Sequence, residues 1–212
     1  MIINTNFKLT IVFNMTELRF VELSSSVLSF MEQNLEPKLT YHNLAHTKDV
    51  MKQVERIAIG ERVAEQGDIL LLKIAALFHD TGFLETYKHH EEKSVEFMLR
   101  NLEEGDLSKA EVERVKGMIM ATKIPQSPSN NLEQIICDAD LDYLGRDDFE
   151  KIANGLKEEF LVYGVIKSEA DWDPLQIKFF EMHSYFTETC RTDRAPRKKL
   201  HLDQLKAKQP QI

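Results

Sequence analysis

Apolar residues recur at helical spacing along most of the chain, and no segment alternates apolar and polar residues as a half-buried strand would. Asn14, followed three residues later by Glu17, resembles a capping box and predicts a helix that ends before Pro37. The predicted apolar face of this helix comprises Leu18, Val21, Val27, Leu28, Met31 and Leu35. Asn43 is predicted to cap a second helix. The face of that helix comprises Val50, Val54, Ile57 and Ala58, with Gly60 near its end.

The segment DILLLKIAALFHDTGF, residues 68–83, is apolar nearly all round and predicts a helix at the centre of the molecule. Asp68 is predicted to cap this helix, and Gly82 to lie near its end. His79 and Asp80 stand at the inner end of the apolar run. The pattern therefore predicts that both polar side chains are buried.

Five more helices are predicted in the rest of the chain. One runs from His90 to Leu102, and its face comprises Val95, Met98, Leu99 and Leu102. Ser108 and Glu111 form the capping box of another, which ends before a loop at residues 124–131, IPQSPSNN. Residues 132–145 are apolar enough to predict a further buried helix, ending at Gly145. Asp147 with Glu150, and Asp173 with Pro174, mark the starts of two further helices, the second being the last long one. The first of these two carries Phe149, Ile152, Leu156 and Phe160.

These helices predict an all-α, single-domain helical bundle over residues 15–212. Residues 1–14 are predicted to be a poorly ordered leader, too short in apolar sequence for a signal peptide or a membrane span, and Met15 is a candidate start. With 212 residues and 42% hydrophobic residues, the chain can bury a core without disulfides. Cys137 and Cys190 form no CxxC pair, which favours core thiols and a cytoplasmic location.

The net charge of −8 and the pI of about 5.4 argue against a nucleic-acid polymer or an anionic membrane as partner. Anionic small molecules stay possible, because a bound divalent cation can invert the local charge. Asp80 ends an apolar run, and Asp138 and Asp140 follow Ile135 and Ile136, where an unpaired carboxylate is costly to bury. A compensating cation is therefore expected, although a hydrogen-bonded core histidine or a capping aspartate would explain each residue singly.

The order of these residues along the chain is the informative feature. A histidine, then His-Asp, then an aspartate, each on its own buried helix, resembles the HD superfamily of metal-dependent phosphohydrolases over residues 40–145. The resemblance implies a helical bundle of the HD/PDEase type and a metal held by His46, His79, Asp80 and Asp140. It also implies that Asp138 orients a ligand histidine. Imidazoles and carboxylates without thiolates suit Mn, Mg, Co, Ni, Fe or Zn, and the sequence does not choose among these metals.

The motif YHNLAHTKDV is similar to the start of cyclic-nucleotide phosphodiesterase domains, which makes His42 the candidate proton donor to the leaving oxygen. A histidine that merely caps a helix entrance is the alternative. The predicted catalytic residues are His42, Asp80, His89 and His90. His89 or His90 could contact a second metal or a substrate phosphate, and the alternative is that both are solvated residues at a helix start. Lys123 and Arg146 are the cations predicted to lie near that phosphate.

Phe83 departs from the related families. Phosphodiesterases carry histidine there, and guanosine tetraphosphate hydrolases and many 5'-deoxynucleotidases carry glutamate, so none of their substrates transfers directly. The GYP motif of cyclic-di-GMP hydrolases is absent. The hypothesis is a phosphohydrolase that cleaves a phosphate ester of a nucleotide or similar small molecule with metal-activated water. The alternative is a catalytically inactive nucleotide- or metal-binding regulator, and the amphipathic outer helices suit a monomer or a homodimer equally.

Overall fold

The computed structural model describes residues 15–208, which form helices and no β-strand. The predicted leader at residues 1–14 lies outside this range. The ten α-helices are α1 Glu17–Asn34, α2 Leu44–Gly60, α3 Gln66–Phe78, α4 His90–Asn101, α5 Lys109–Ala121, α6 Asn131–Asp140, α7 Phe149–Val162, α8 Trp172–Met182, α9 Glu188–Asp193 and α10 Ala195–Lys208. Short 3-10 helices span Thr81–Leu84, Asp142–Gly145 and Glu169–Asp171. The all-α prediction is confirmed, and no helix within residues 15–208 is long and apolar enough to cross a membrane.

Helix α3 is the central element, as its apolar sequence predicts. Its residues from Ile74 to Phe78 are all fully buried, because α1, α2, α4, α5 and α6 pack around it. These six helices share one hydrophobic cluster. A helix that is apolar on every side is stable in water only when neighbours cover it in this way.

A second hydrophobic cluster forms from α7, α8, α10 and the 3-10 helix Asp142–Gly145. It includes Tyr41, Leu144, Phe149, Trp172 and Phe180. Asp140 is the last residue of α6, which packs in the first cluster, and the next residue, Leu141, already belongs to the second. The polar end of α6 therefore lies where the two clusters meet.

Helix α1 differs from its prediction in both its cap and its buried face. Thr16 caps the helix, since the Thr16 hydroxyl accepts a hydrogen bond from the Arg19 amide at 3.1 Å, and the predicted cap Asn14 lies outside the described residues. Leu18 and Val21 are 70% and 57% exposed. The buried face comprises Phe20, Leu23, Val27 and Met31. The helix carries two apolar stripes, and packing against α3 selects the one with Phe20 because its ring fits the first cluster.

Three other helices differ from their predictions in an end or in the buried face. Helix α3 starts at Gln66, so Asp68 lies in its first turn and bonds to Arg114 at 2.7 Å instead of capping the helix. Leu99 is 47% exposed, and Phe97 is buried in its place. The region predicted as one last long helix is three helices, of which α8 begins at Trp172, before Pro174. The caps predicted at Asn43 and Ser108 are confirmed.

Candidate metal centre

Four side chains from three helix ends meet in the interior. His46 lies in the first turn of α2, His79 and Asp80 directly follow α3, and Asp140 ends α6. The His46 Nε2 atom is 3.1 Å from Asp140 Oδ1 and 3.2 Å from Asp80 Oδ2. The His79 Nε2 atom is 3.3 Å from His46 Nε2, 3.2 Å from Asp80 Oδ2 and 3.7 Å from Asp140 Oδ1. The structure thus brings together all four residues predicted as metal ligands.

Local chemistry fixes where each of these side chains stands. The Asn43 Oδ1 atom accepts hydrogen bonds from the amides of Ala45 at 2.9 Å and His46 at 3.3 Å, which sets the start of α2. After α3 ends, the Thr81 hydroxyl donates to the Phe78 carbonyl at 2.8 Å and closes the turn that carries His79 and Asp80. This turn packs against the start of α4 so closely that a Cβ atom on Gly82 would be 1.9 Å from the His90 carbonyl oxygen.

The donor set fits a divalent cation. The His79 Nδ1 atom is 2.8 Å from the Ala76 carbonyl, which can only accept, so Nδ1 carries a proton and Nε2 offers a lone pair to the cluster when the ring is neutral. Asp80 Oδ2 is buried and has no hydrogen bond within the described residues, although two imidazole nitrogens lie near it. Ligand atoms held at about 2.1 Å from one ion are about 3.0–3.4 Å apart, close to the separations observed here. One atom each of His46, His79 and Asp140 lies within 4.8 Å of the others.

The electrostatics of the cluster favour positive charge. Burial alone would lower the pKa of His46, but its hydrogen bonds with Asp140 and Asp80 outweigh burial and raise the pKa to about 9. Burial would raise the pKa of Asp80, but the charge of His79 holds it well below its usual value. The pKa of Asp140 is lowered in the same way by its bonds with the two histidines. Both carboxylates are therefore ionised at neutral pH and attract a cation.

His90 reaches this cluster, and His89 does not. The His90 Nε2 atom is 3.4 Å from Asp80 Oδ1 and 3.6 Å from Glu91 Oε1. His89 is exposed at the N-terminal end of α4 with a left-handed backbone, φ 59°. Glu91 is only 6% exposed, yet an acidic residue in the first turn of a helix is so common that the sequence did not single it out.

His42 is held by a residue that the sequence analysis missed. The His42 Nδ1 atom hydrogen-bonds to Glu159 Oε1, which also accepts from the Tyr87 hydroxyl at 3.0 Å. The other oxygen, Oε2, accepts from the backbone amides of Tyr41 at 2.9 Å and His42 at 3.0 Å. Glu159 is fully buried on α7, one turn after Leu156. The position of Glu159 on the apolar face of α7 was the one feature of the sequence that could have indicated a buried, functional carboxylate.

Phe83 packs against both His42 and His90, whose ring centroids are 6.0 Å apart. Its ring stacks on His42 at 4.2 Å between centroids and on His90 at 4.0 Å, with interplanar angles of 23° and 24°. The position that departs from the related families therefore holds the planes of both imidazoles. Phe83 is itself only 7% exposed, so this stack forms part of the packed interior.

A model of the family described as HD domain matches residues 43–142, a span that contains His46, His79, Asp80 and Asp140. Residues 43–142 match an HD domain. Among solved structures, a predicted HD superfamily hydrolase from an uncultured Thermotogales bacterium has a TM-score of 0.57 at 20% identity, with 86% of this chain and 89% of that chain covered. A protein from Lactobacillus plantarum has a TM-score of 0.63 at 17% identity, with coverages of 91% and 97%. At these sequence identities, the similarity shows a shared fold and nothing about activity. A search of curated proteins finds no significant match.

The HD domain opens onto a cavity of about 320 Å³. Asp80, Asp140, His42, His90 and Glu91 border one end of this cavity. Its remaining walls are largely apolar side chains from α7, α8 and the segment after α6. The cavity therefore connects the candidate ligands with the second hydrophobic cluster.

Neither cation predicted to bind phosphate borders the cavity. Lys123 pairs with Glu92 instead. Arg146 is 16% exposed and bonds to Asp49 at 2.5 Å and to Asp148 at 2.7 Å. Both assignments stay predictions, but the charge of each residue is already balanced by neighbouring carboxylates.

Asp138 has a different role from the one that the resemblance implies. Its carboxylate is fully buried and accepts hydrogen bonds from the amides of Phe186 at 2.9 Å and Thr187 at 2.8 Å. The Thr187 hydroxyl donates to it at 2.6 Å. The second nitrogen of His79 bonds to a backbone carbonyl, so Asp138 anchors the segment before α9 and orients no ligand histidine among the described contacts.

Proposed function

We propose that this HD domain is a metal-dependent phosphohydrolase that cleaves a phosphate ester of a small molecule, with nucleotides among the candidates. The observation that carries the proposal is the convergence of His46, His79, Asp80 and Asp140 beside a cavity that Asp80 and Asp140 border. Ionised, buried carboxylates beside imidazoles form a site for a divalent ion, and the cavity gives a substrate access to it.

His46, His79, Asp80 and Asp140 would hold the ion. When bound, such an ion lowers the pKa of a bound water and polarises a phosphoryl oxygen. The ligand set contains no thiolate, so Mn, Mg, Co, Ni, Fe and Zn all remain candidates.

His42 would donate the proton to the leaving oxygen. Its Nδ1 atom is engaged with Glu159, so Nε2 is the nitrogen that can exchange a proton in the cavity. Stacking on Phe83 and the hydrogen bond to Glu159 fix the plane of the imidazole. Such pre-orientation matters because a misplaced proton donor loses much of its effect.

His90 would contact the phosphoryl group from a position next to His42, since the two ring centroids are 6.0 Å apart. Its ring borders the cavity, and its Nε2 atom lies near Asp80 Oδ1. A protonated His90 would offset charge that develops on the phosphoryl oxygens. The pKa of His90 supports this role: burial would lower it, but the hydrogen bond with Asp80 raises it above the usual value.

The first test is the variant Asp80→Asn, which keeps the shape of the side chain and removes its charge. We expect metal affinity to fall at least about 100-fold, because even residues that only orient a metal ligand are worth about 10–100-fold. Metal content by elemental analysis and turnover of phosphomonoesters and phosphodiesters with Mn, Co, Ni and Mg are the measurements.

Asp68→Asn is the matched control, since Asp68 lies in the first turn of α3, at the opposite end of the helix from Asp80, and bonds to Arg114. It should keep both metal and turnover. Full metal content and full activity in Asp80→Asn would show that the site is wrongly assigned.

A catalytically inactive metal- or nucleotide-binding regulator is the second candidate. Phe83 favours it, because this position carries no group that can ionise or coordinate. Stoichiometric metal without turnover of any phosphate ester would support this regulator.

A further inference from the structure

The cavity has two chemically different ends. Asp80, Glu91 and Asp140 place three carboxylates at one end. Phe160 on α7 and Phe179 on α8 are part of an apolar wall at the other. A substrate whose phosphate lies at the candidate ligands must therefore place its alcohol part against hydrocarbon and aromatic surface.

No lysine or arginine within residues 15–208 borders the cavity. The two cations predicted for phosphate binding, Lys123 and Arg146, are paired with carboxylates elsewhere. A second or third phosphate would meet no balancing cation and would be repelled by Glu91. The charge distribution thus favours a substrate with a single phosphate group.

The walls also offer few hydrogen bonds. The Thr122 hydroxyl is already used, since it donates to the Ile119 carbonyl at 2.8 Å. The remaining polar groups of the walls are the amide of Gln176, which is only 8% exposed, the hydroxyls of Tyr41 and Tyr143, and the indole of Trp172. Sugar hydroxyls or the edge of a base would lose their water here and find too few partners, which is unfavourable for polar groups.

We infer that the substrate is a phosphomonoester of a compact apolar alcohol, either a short alkyl or a single-ring aryl ester. This inference rests on the proposed phosphohydrolase function. The volume of about 320 Å³ is near the lower end of small-molecule sites and suits such a compact group. In the reaction, water adds to phosphorus, the bond from phosphorus to the ester oxygen breaks with its electron pair on that oxygen, and His42 protonates it, giving the alcohol and inorganic phosphate.

The experiment compares kcat/KM for methyl, butyl, hexyl and phenyl phosphate with kcat/KM for adenosine monophosphate, glucose 6-phosphate and adenosine triphosphate. We expect an increase of up to about fourfold per added methylene until the cavity is full. Hexyl and phenyl phosphate should exceed every polar ester. A preference for the nucleotide or the sugar phosphate would overturn the inference and leave the phosphohydrolase function intact.

A variant tests the same point through the wall. Leu175 on α8 borders the cavity and is 37% exposed, so Leu175→Lys introduces a cation without burying it deeply. The ratio of kcat/KM for hexyl phosphate to that for adenosine triphosphate should fall about tenfold or more. Leu200→Lys on α10 is the matched control, since Leu200 is 59% exposed and does not border the cavity. An unchanged ratio in Leu175→Lys would contradict the inference.

Binding of methyl-, butyl- and hexylphosphonate to the metal-loaded protein, measured by calorimetry, separates the two proposals. If no ester is hydrolysed, the phosphohydrolase function fails. Affinity that rises with chain length would still support an apolar ligand, and equal affinities would overturn it.

Discussion

At the scale of single residues, Glu159 gathers four hydrogen bonds on one buried carboxylate, from two backbone amides, His42 and Tyr87. Burial would raise the pKa of Glu159, but the hydrogen bond from His42 and the charge of that ring lower it below the usual value. The carboxylate is therefore ionised at neutral pH. Its hydrogen bond to Nδ1 orients the His42 ring.

The variant Glu159→Gln should reduce kcat by about 10-fold to 100-fold, because general acid catalysis contributes about 10²–10⁴ and the substitution misplaces the donor only partly. Metal content should not change. Glu158→Gln, a change at the exposed neighbouring residue, is the control. An unchanged kcat in Glu159→Gln would mean that Glu159 serves the fold alone.

The sequence identified some of these residues because their chemistry is local. His79 and Asp80 interrupt an apolar run, and their order relative to His46 and Asp140 matches a known family, so the four candidate ligands could be selected without coordinates. Glu159 is more than 110 residues away from His42 and reaches it only through the packing of α7. No spacing rule along the chain connects such a pair, which is why it emerged from the structure alone.

At the scale of elements, the turn after α3 contacts the start of α4. This contact places the candidate metal ligands His79 and Asp80 next to His90. Gly82 allows this contact, because any side chain there would meet the His90 backbone. Its amide donates to the Ser94 hydroxyl of α4 at 2.8 Å and ties the same two elements together. Two parts of the site are thus aligned by one close backbone approach.

Gly82→Ala should destabilise the protein by about 1–3 kcal/mol, as overpacking of a filled interior does. It should also lower metal content, since α4 and the turn must separate. Gly67→Ala is the matched control: Gly67 lies in the first turn of α3 with no atom within 4 Å of an added Cβ. That change should be neutral or stabilising by up to about 1 kcal/mol. Urea unfolding and elemental analysis are the measurements, and equal midpoints for the two variants would contradict this account.

The elements also show where periodicity is sufficient and where it is not. Helix α3 was predicted well because a segment that is apolar on all sides has only one possible environment. Helix α1 has apolar residues on two stripes, and the choice between Leu18 and Phe20 depends on the surface of α3. One last long helix was predicted from Asp173, and the break between α8 and α9 was missed because no proline or glycine interrupts residues 175–193.

At the scale of the whole molecule, an ion pair joins α1 to the segment before α5. The Arg19 Nε atom donates to Asp106 Oδ1 at 2.9 Å, and the Arg19 Nη2 atom donates to Asp106 Oδ2 at 2.9 Å. Burial would raise the pKa of Asp106, but the bonds from Arg19 lower it. Because the pKa is lower in the folded protein, the pair stabilises the fold fully above the unfolded pKa of about 3.9, and this stability is lost as the pH falls through the folded pKa.

Asp106→Asn should lower the free energy of unfolding by about 1 kcal/mol at neutral pH. The difference from the unmodified protein should shrink as the pH is lowered below about 4, because Asp106 then loses its charge in the unmodified protein too. Asp203→Asn is the control, since Asp203 forms an exposed pair with Lys199 within one helix. Urea unfolding over a pH series measures both, and a gap that does not narrow in acid would contradict the prediction.

The junction at Asp140 and Leu141 has a consequence for how such proteins diversify. The candidate metal ligands belong to helices of the first hydrophobic cluster, whereas much of the apolar cavity wall belongs to the second. Mutations that reshape α7 and α8 can therefore alter what the cavity accommodates while the ligand geometry stays intact. Reaction chemistry and substrate range can in this way evolve on separate parts of one fold.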